Sequence, residues 1–134
     1  MKIIVCVDKK NGMMFNGRRQ SRDRLLIHEL QNHLNGAPLR IAPCSQSLFQ
    51  KSSISCTVAE NPLEGASEEE YCFVENQSLM PWQDQIAEVI LYNWNRQYPA
   101  DFTFDLDMKD FRRVSSADFS GASHNKITKE VWLK

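Results

Sequence analysis

Lys2-Ile3-Ile4-Val5-Cys6-Val7 is an almost unbroken apolar run, rich in β-branched residues and stopped by Asp8, the pattern of a buried strand. The polar stretch from Lys9 to Gln20 carries Asn11-Gly12 and Asn16-Gly17, and reads as a loop with two turns. From Ser21 the apolar period changes. Leu26, Ile27, Leu30 and Leu34 fall on one stripe of a helix that Ser21 can cap and Asn35-Gly36 can stop. Short strands follow at Leu39-Arg40-Ile41 and Ile54–Val58, with a turn or two of helix over Ser45–Gln50 between them. The Pro, Gly, Ser and Glu of Glu60 to Glu70 mark a solvated connection. Tyr71–Val74 and Glu88–Trp94 are strands, separated by a short helix or turn over Ser78–Gln85 that Pro81 limits at its start. Further strands lie around Phe111–Ser115 and Lys126–Leu133, with Phe119-Ser120-Gly121 in their connection. Strands and helices alternate first and strands alone follow. This order predicts a single α/β domain over 1–134, with a mixed, mainly parallel sheet finished by an antiparallel hairpin.

Sixteen Lys and Arg balance seventeen Asp and Glu, so no global field attracts nucleic acid or an acidic membrane. The one local concentration is Arg18, Arg19, Arg22 and Arg24, expected as an exposed loop leading into a solvated helix face. Nucleic acid is therefore not an expected partner. The apolar start is shorter than the roughly seven-residue core of a signal peptide, and nothing approaches the run of about twenty residues that spans a membrane. A cytoplasmic location is expected. Cys6, Cys44, Cys56 and Cys72 make no C-x-x-C pair, and three of them sit in apolar runs as free, hydrophobe-like thiols.

Taken in order, Ile3-Ile4-Val5-Cys6-Val7-Asp8-Lys9-Lys10-Asn11 through Asn16-Gly17 resembles the opening of the dihydrofolate reductases, where an I-x-A-V-D strand runs into N-x-x-I-G-x-N-G. Ile90 to Trp94, Tyr98-Pro99-Ala100-Asp101-Phe102-Thr103-Phe104 and Phe111 to Val114 resemble that family's late strand, D-x-x-F segment and final hairpin. The resemblance implies a shortened dihydrofolate-reductase-like fold, with Ser21 to Leu34 as the substrate-side helix. It also locates the departures. The family's phosphate-holding G-R-x-T/S turn corresponds to Ala42-Pro43-Cys44-Ser45, and its Gly-Gly pair to Glu75-Asn76. Proline removes a donor, the turn keeps no cation, and a carboxylate stands where a pyrophosphate would lie. No cofactor is expected, and NADPH least of all. On the substrate side, the L-P-W segment becomes Arg19-Gln20-Ser21 and the late-strand Thr becomes Tyr92, changes that argue against folate.

Asp23 aligns with the family's acidic residue beneath the pteridine if the preceding loop is shortened. As a general acid it would need a raised pKa, whereas at a helix N-terminus it would be depressed. Cys6, Ile27, Tyr92 and Trp94 are candidate pocket residues. Trp82, Trp94 and Trp132 are expected to build the core, with a pocket mouth or partner contact the alternative for Trp94 beside Asn93, Asn95 and Arg96. His28 and His33 stand five apart, not the four of a zinc-binding H-E-x-x-H helix. Short chains that look like this one have sometimes been labelled ribonuclease Z, but that activity needs H-x-H-x-D-H plus further histidines to hold two metals, and three histidines in all do not supply it. Asp101, Asp105, Asp107 and Asp110 lack the Gly and Glu of a calcium loop. Ser53, Ser55, Ser115 and Ser116 have no histidine nearby and no G-x-S-x-G elbow, so serine-based hydrolysis is not expected. These features favour a non-reductase that binds a small ligand or a protein in the remaining cleft. The alternatives are an enzyme on a pterin- or nucleotide-like compound with Asp23 as its acid, and an interaction module, with a homodimer left open.

Overall fold

The computed structural model describes all 134 residues. The strands are β1 (Lys2–Val7), β2 (Gly12–Phe15), β3 (Arg18–Arg19), β4 (Leu39–Ile41), β5 (Cys56–Val58), β6 (Tyr71–Phe73), β7 (Glu88–Asn93), β8 (Phe102–Thr103), β9 (Arg112–Phe119) and β10 (Ile127–Leu133). The helices are α1 (Arg24–Leu34) and α2 (Gln46–Phe49), with 3₁₀ turns over Pro43–Ser45 and Met80–Gln85. The main sheet has seven strands in the order β5-β4-β6-β1-β7-β10-β9. The first five are mutually parallel, and β10 returns antiparallel between β7 and β9. This is the mixed sheet with a terminal hairpin that the segment order predicts.

Two details differ from the expectation. The stretch from Lys9 to Gln20 is not only loop, because β2 pairs with β3 and β8 in a second, three-stranded antiparallel sheet. Asn16 and Gly17 both have positive φ and close a two-residue hairpin between Phe15 and Arg18, as Asn-Gly favours. The cap of α1 is Asp23 rather than Ser21: its backbone is extended, and its carboxylate accepts from the N–H groups of Leu25 and Leu26. Asn35 closes the helix in the left-handed conformation.

Alternation along β1 and β7 divides the core. Ile3, Val5, Val7, Val89 and Leu91 meet Met13, Leu63, Leu79, Leu106 and Phe111 on one face. Ile4, Ile90, Tyr92 and Trp94 meet Leu26, Leu30 and Leu34 of α1 on the other. Of the tryptophans, Trp94 is buried, while Trp82 and Trp132 pack partly exposed against the first face. The second face ends, at the C-terminal edges of β1 and β6, in the cleft described next.

Candidate functional site

Three segments meet at this edge: the turn before α1, the end of β6, and the connection between β9 and β10. Asp23 lies at their centre with its side chain fully shielded from solvent. One oxygen, Oδ1, accepts from the N–H of Leu25 at 2.9 Å, of Leu26 at 3.4 Å and of Ala122 at 2.8 Å. The other, Oδ2, accepts from the Ser123 N–H at 2.9 Å, Ser123 Oγ at 3.2 Å and His124 Nδ1 at 3.0 Å. Burial alone would push the carboxyl up. The N–H of Ala122, the His124 ring and the N–H groups of Ser123 and Leu25 outweigh it, and hold the pKa well below the usual carboxylate range. Six donors also leave Asp23 no free lone pair to face a ligand. Asp23 itself borders the cleft, while His124 lies behind it and reaches the cavity only through Ser21.

His124 is buried and stacked on Trp94, with ring centroids 4.5 Å apart. In the neutral ring Nδ1–H donates to Asp23, so Nε2 accepts. Its two partners are Ser21 Oγ at 3.1 Å and the Tyr98 hydroxyl at 2.9 Å. Gly121 makes room for this packing, since a Cβ there would stand 2.5 Å from Asp23 Oδ2.

Asp8, at the end of β1, is a second buried aspartate. It accepts from the N–H groups of Lys10 and Gly12 at 2.8 Å each, from Gln20 Nε2 at 3.0 Å and from the Tyr98 N–H at 3.2 Å. Burial works against ionisation here too, but the Gly12, Lys10 and Tyr98 N–H groups and Gln20 lower the pKa on balance. Tyr98 therefore joins the two networks.

On the opposite wall Glu75 is held by Arg19 through two hydrogen bonds, of 2.7 and 3.0 Å, and by Ser45 Oγ at 3.0 Å. Arg19 also donates to the Cys44 carbonyl. The two stretches that replace the expected phosphate-holding elements, Ala42–Ser45 and Glu75-Asn76, are thus tied to each other.

Between these walls is a narrow inner cavity of about 20 Å³, lined by Cys6, Arg19, Ser21, Asp23, Ile27 and Trp94 among others. It holds about one water or a group of similar size. Burial raises the Cys6 thiol far above its usual range, so that side chain is a neutral wall. An outer cleft of about 400 Å³ adjoins it, sharing Arg22, Asp23, Ile27 and Leu48. Arg24, His28 and Lys51 also line the outer cleft, and neither Arg22, Arg24 nor Lys51 has a carboxylate partner.

Of the residues singled out from sequence, Asp23, Cys6, Ile27 and Trp94 come together. Tyr92 does not: its ring is fully buried beneath α1 and its hydroxyl donates to Glu29, away from the cavity. The arginine cluster is divided, with Arg18 exposed on the β2–β3 hairpin, Arg19 paired, and Arg22 and Arg24 in the outer cleft. His28 is exposed, and His33 packs edge-on to Tyr71 at 5.9 Å. No three His, Cys, Asp or Glu side chains converge as metal ligands, and no helix is long and apolar enough to cross a membrane. Sequence reasoning missed His124, Ser21, Tyr98 and Lys51. The cue to the first was the small-residue run Gly121-Ala122-Ser123 directly before a histidine.

The sequence matches no protein-family model, and it matches no curated protein. In structure the chain is similar to a dihydrofolate reductase from Enterococcus faecalis complexed with NADP(H) and RAB-propyl. The TM-score is 0.66 at 10% identity, covering 98% of this chain and 94% of that one. The chain therefore has a dihydrofolate-reductase-like fold.

Proposed function

We propose that the protein binds a small ligand bearing an aromatic or apolar group and an anionic group in the substrate-side cleft, and that it is not an NADPH-dependent reductase. The observation that carries the first part is the outer cleft of about 400 Å³, ringed by Arg22, Arg24, His28 and Lys51. Its volume falls in the range of small-molecule sites, about 300–1,000 Å³. Unpaired guanidinium and ammonium groups around such a concavity attract carboxylate or phosphate, and the arginines offer bidentate hydrogen bonds. Ile27 and Leu48, shared with the inner cavity, supply the apolar floor.

The second part rests on the other wall. The similar structure is complexed with NADP(H), whereas here the stretch that the sequence resemblance sets against the family's Gly-Gly pair carries Glu75, already neutralised by Arg19. A nicotinamide dinucleotide would have to separate that pair and still find no cation in Ala42–Ser45.

Titration calorimetry with 4-aminobenzoate and with NADPH tests both parts. Binding of the aromatic carboxylate should weaken at least tenfold in Arg24→Ala/Lys51→Ala and fall with added salt. Equal affinity in wild type and double variant would reject the anion reading, and a micromolar constant for NADPH would reject the non-reductase reading.

A further inference from the structure

We propose that Ser21 is an acyl-transfer nucleophile, with His124 as its general base and Asp23 as the positioning carboxylate, and that the protein hydrolyses esters of small acyl groups. Ser21 Oγ lies 3.1 Å from Nε2 of His124, whose Nδ1 lies 3.0 Å from Asp23 Oδ2. The serine faces the nitrogen that carries the lone pair when Nδ1–H is given to aspartate, the tautomer nucleophilic catalysis requires. The Tyr98 hydroxyl reaches the same lone pair at 2.9 Å, so the base serves Ser21 when the Tyr98 proton points away from it. The array is built from segments about a hundred residues apart, and the Trp94 stack fixes the plane of the ring. Serine reactivity was not expected from Ser53, Ser55, Ser115 or Ser116. It falls instead to a serine whose base has no neighbouring position in the chain.

Ser21 borders the inner cavity, and so does Arg22, a cation with no ion pair. An acyl carbon placed there meets Oγ, with the guanidinium available to oppose charge developing on the carbonyl oxygen. In the first step the bond from Ser21 Oγ to the acyl carbon forms and the ester's C–O bond breaks. The hydroxyl proton passes to His124 Nε2 and on to the departing alkoxide. In the second step a water oxygen bonds to the same carbon, the Oγ–acyl bond breaks, and the water proton returns through Nε2 to Oγ. The products are a carboxylic acid and an alcohol, and no oxidant or reductant is involved. A cavity of about 20 Å³ has room for one group of methyl size, which limits the acyl portion to acetyl with only its methyl seated there. The placement of the alcohol portion in the outer cleft rests on the anion-binding reading above, but the chemistry at Ser21 does not.

The test uses the full chain with two uncharged probes, a fluorophosphonate and p-nitrophenyl acetate, so that failure of the cationic cleft does not affect it. Phosphonylation should map by peptide mass spectrometry to Ser21. Hydrolysis of p-nitrophenyl acetate should fall at least about 10²-fold in Ser21→Ala and in His124→Gln. The butyrate should turn over about tenfold more slowly than the acetate, or less. An adduct absent from Ser21, or Ser21→Ala hydrolysing at the wild-type rate, overturns the proposal. Because His124→Gln disturbs a buried network, Ser21→Cys gives a second readout with His124 and Asp23 in place. The introduced thiol, next to the imidazole, should react with iodoacetamide about tenfold faster than exposed Cys44 in the same molecule, and equal or slower reaction counts against the base.

Discussion

Two buried carboxylates frame the cleft, and they are neutralised in opposite ways. Glu75 is matched by Arg19, a cation that keeps its charge at any pH a folded protein meets, so that wall is a fixed clamp. Asp23 is matched by backbone N–H groups and by His124, a ring that carries a hydrogen-bonding site on each of two nitrogens. The same need, to bury a negative charge, yields a static cross-link on one side. On the other it yields a relay whose outer nitrogen faces a serine and a tyrosine. The proposed chemistry at Ser21 is set on the second wall because only there does a proton have somewhere to go.

The contrast predicts effects of different size. Asp23→Ala removes the cap of α1 and strands the donors of Ala122, Ser123 and His124, and should cost about 3–5 kcal/mol in urea unfolding. A loss under 1 kcal/mol would mean the network is not what holds these segments together. Gly121→Ala places a Cβ against Asp23 Oδ2 and 2.8 Å from Ile127 Cδ1. About 1–3 kcal/mol of overpacking is expected from the same denaturation experiment, together with an altered His124 resonance by NMR.

On the other wall the partner is partly solvated, with the Arg19 side chain 22% exposed. Arg19→Met should cost about 1–2 kcal/mol, and Arg19→Met/Glu75→Leu less than the sum of its single changes, because an unpaired buried charge is then absent. Strict additivity in that double-mutant cycle would show that the clamp is not a coupled pair.

The smallest effect is on pH dependence. The folded pKa values of Asp23 and Asp8 lie below the ordinary carboxylate value of 3.8, so the stability each contributes is present above that value and is lost as pH falls through and below it. One carboxylate contributes at most about 1.4 kcal/mol per pH unit to this acid limb. Asp23→Asn should flatten the limb between about pH 4 and pH 2 relative to wild type, leaving the part due to Asp8. An unchanged slope would place the sensitivity elsewhere.

The fold was legible where one period ruled a segment. β1, β7 and α1 follow directly from Ile3-Ile4-Val5, Val89-Ile90-Leu91 and the Leu26–Leu30–Leu34 stripe, because those side chains need the same faces in any compact arrangement. The second sheet was hidden because Asn16-Gly17 signals a turn whether or not strands flank it, and Met13-Met14-Phe15 is too short to show alternation. The cap was assigned to Ser21, whereas Asp23 holds it. What decides between them are the N–H groups of Ala122 and Ser123, some hundred positions away. His124 was illegible for the same reason, since nothing near it in sequence discloses a partner on another segment. Tyr92 fits a pocket residue by strand position, but its side chain falls on the face that α1 covers completely.

Tyr98 is the one residue with a hand in both aspartate networks, its N–H on Asp8 and its hydroxyl on His124. In lineages descended from this sequence, Asp8, Tyr98, His124 and Asp23 are therefore not four independent sites. A neutral drift at one leaves a buried partner unpaired at the next, so divergence should replace the four as a block or preserve them as one, even while the surrounding core exchanges one aliphatic residue for another.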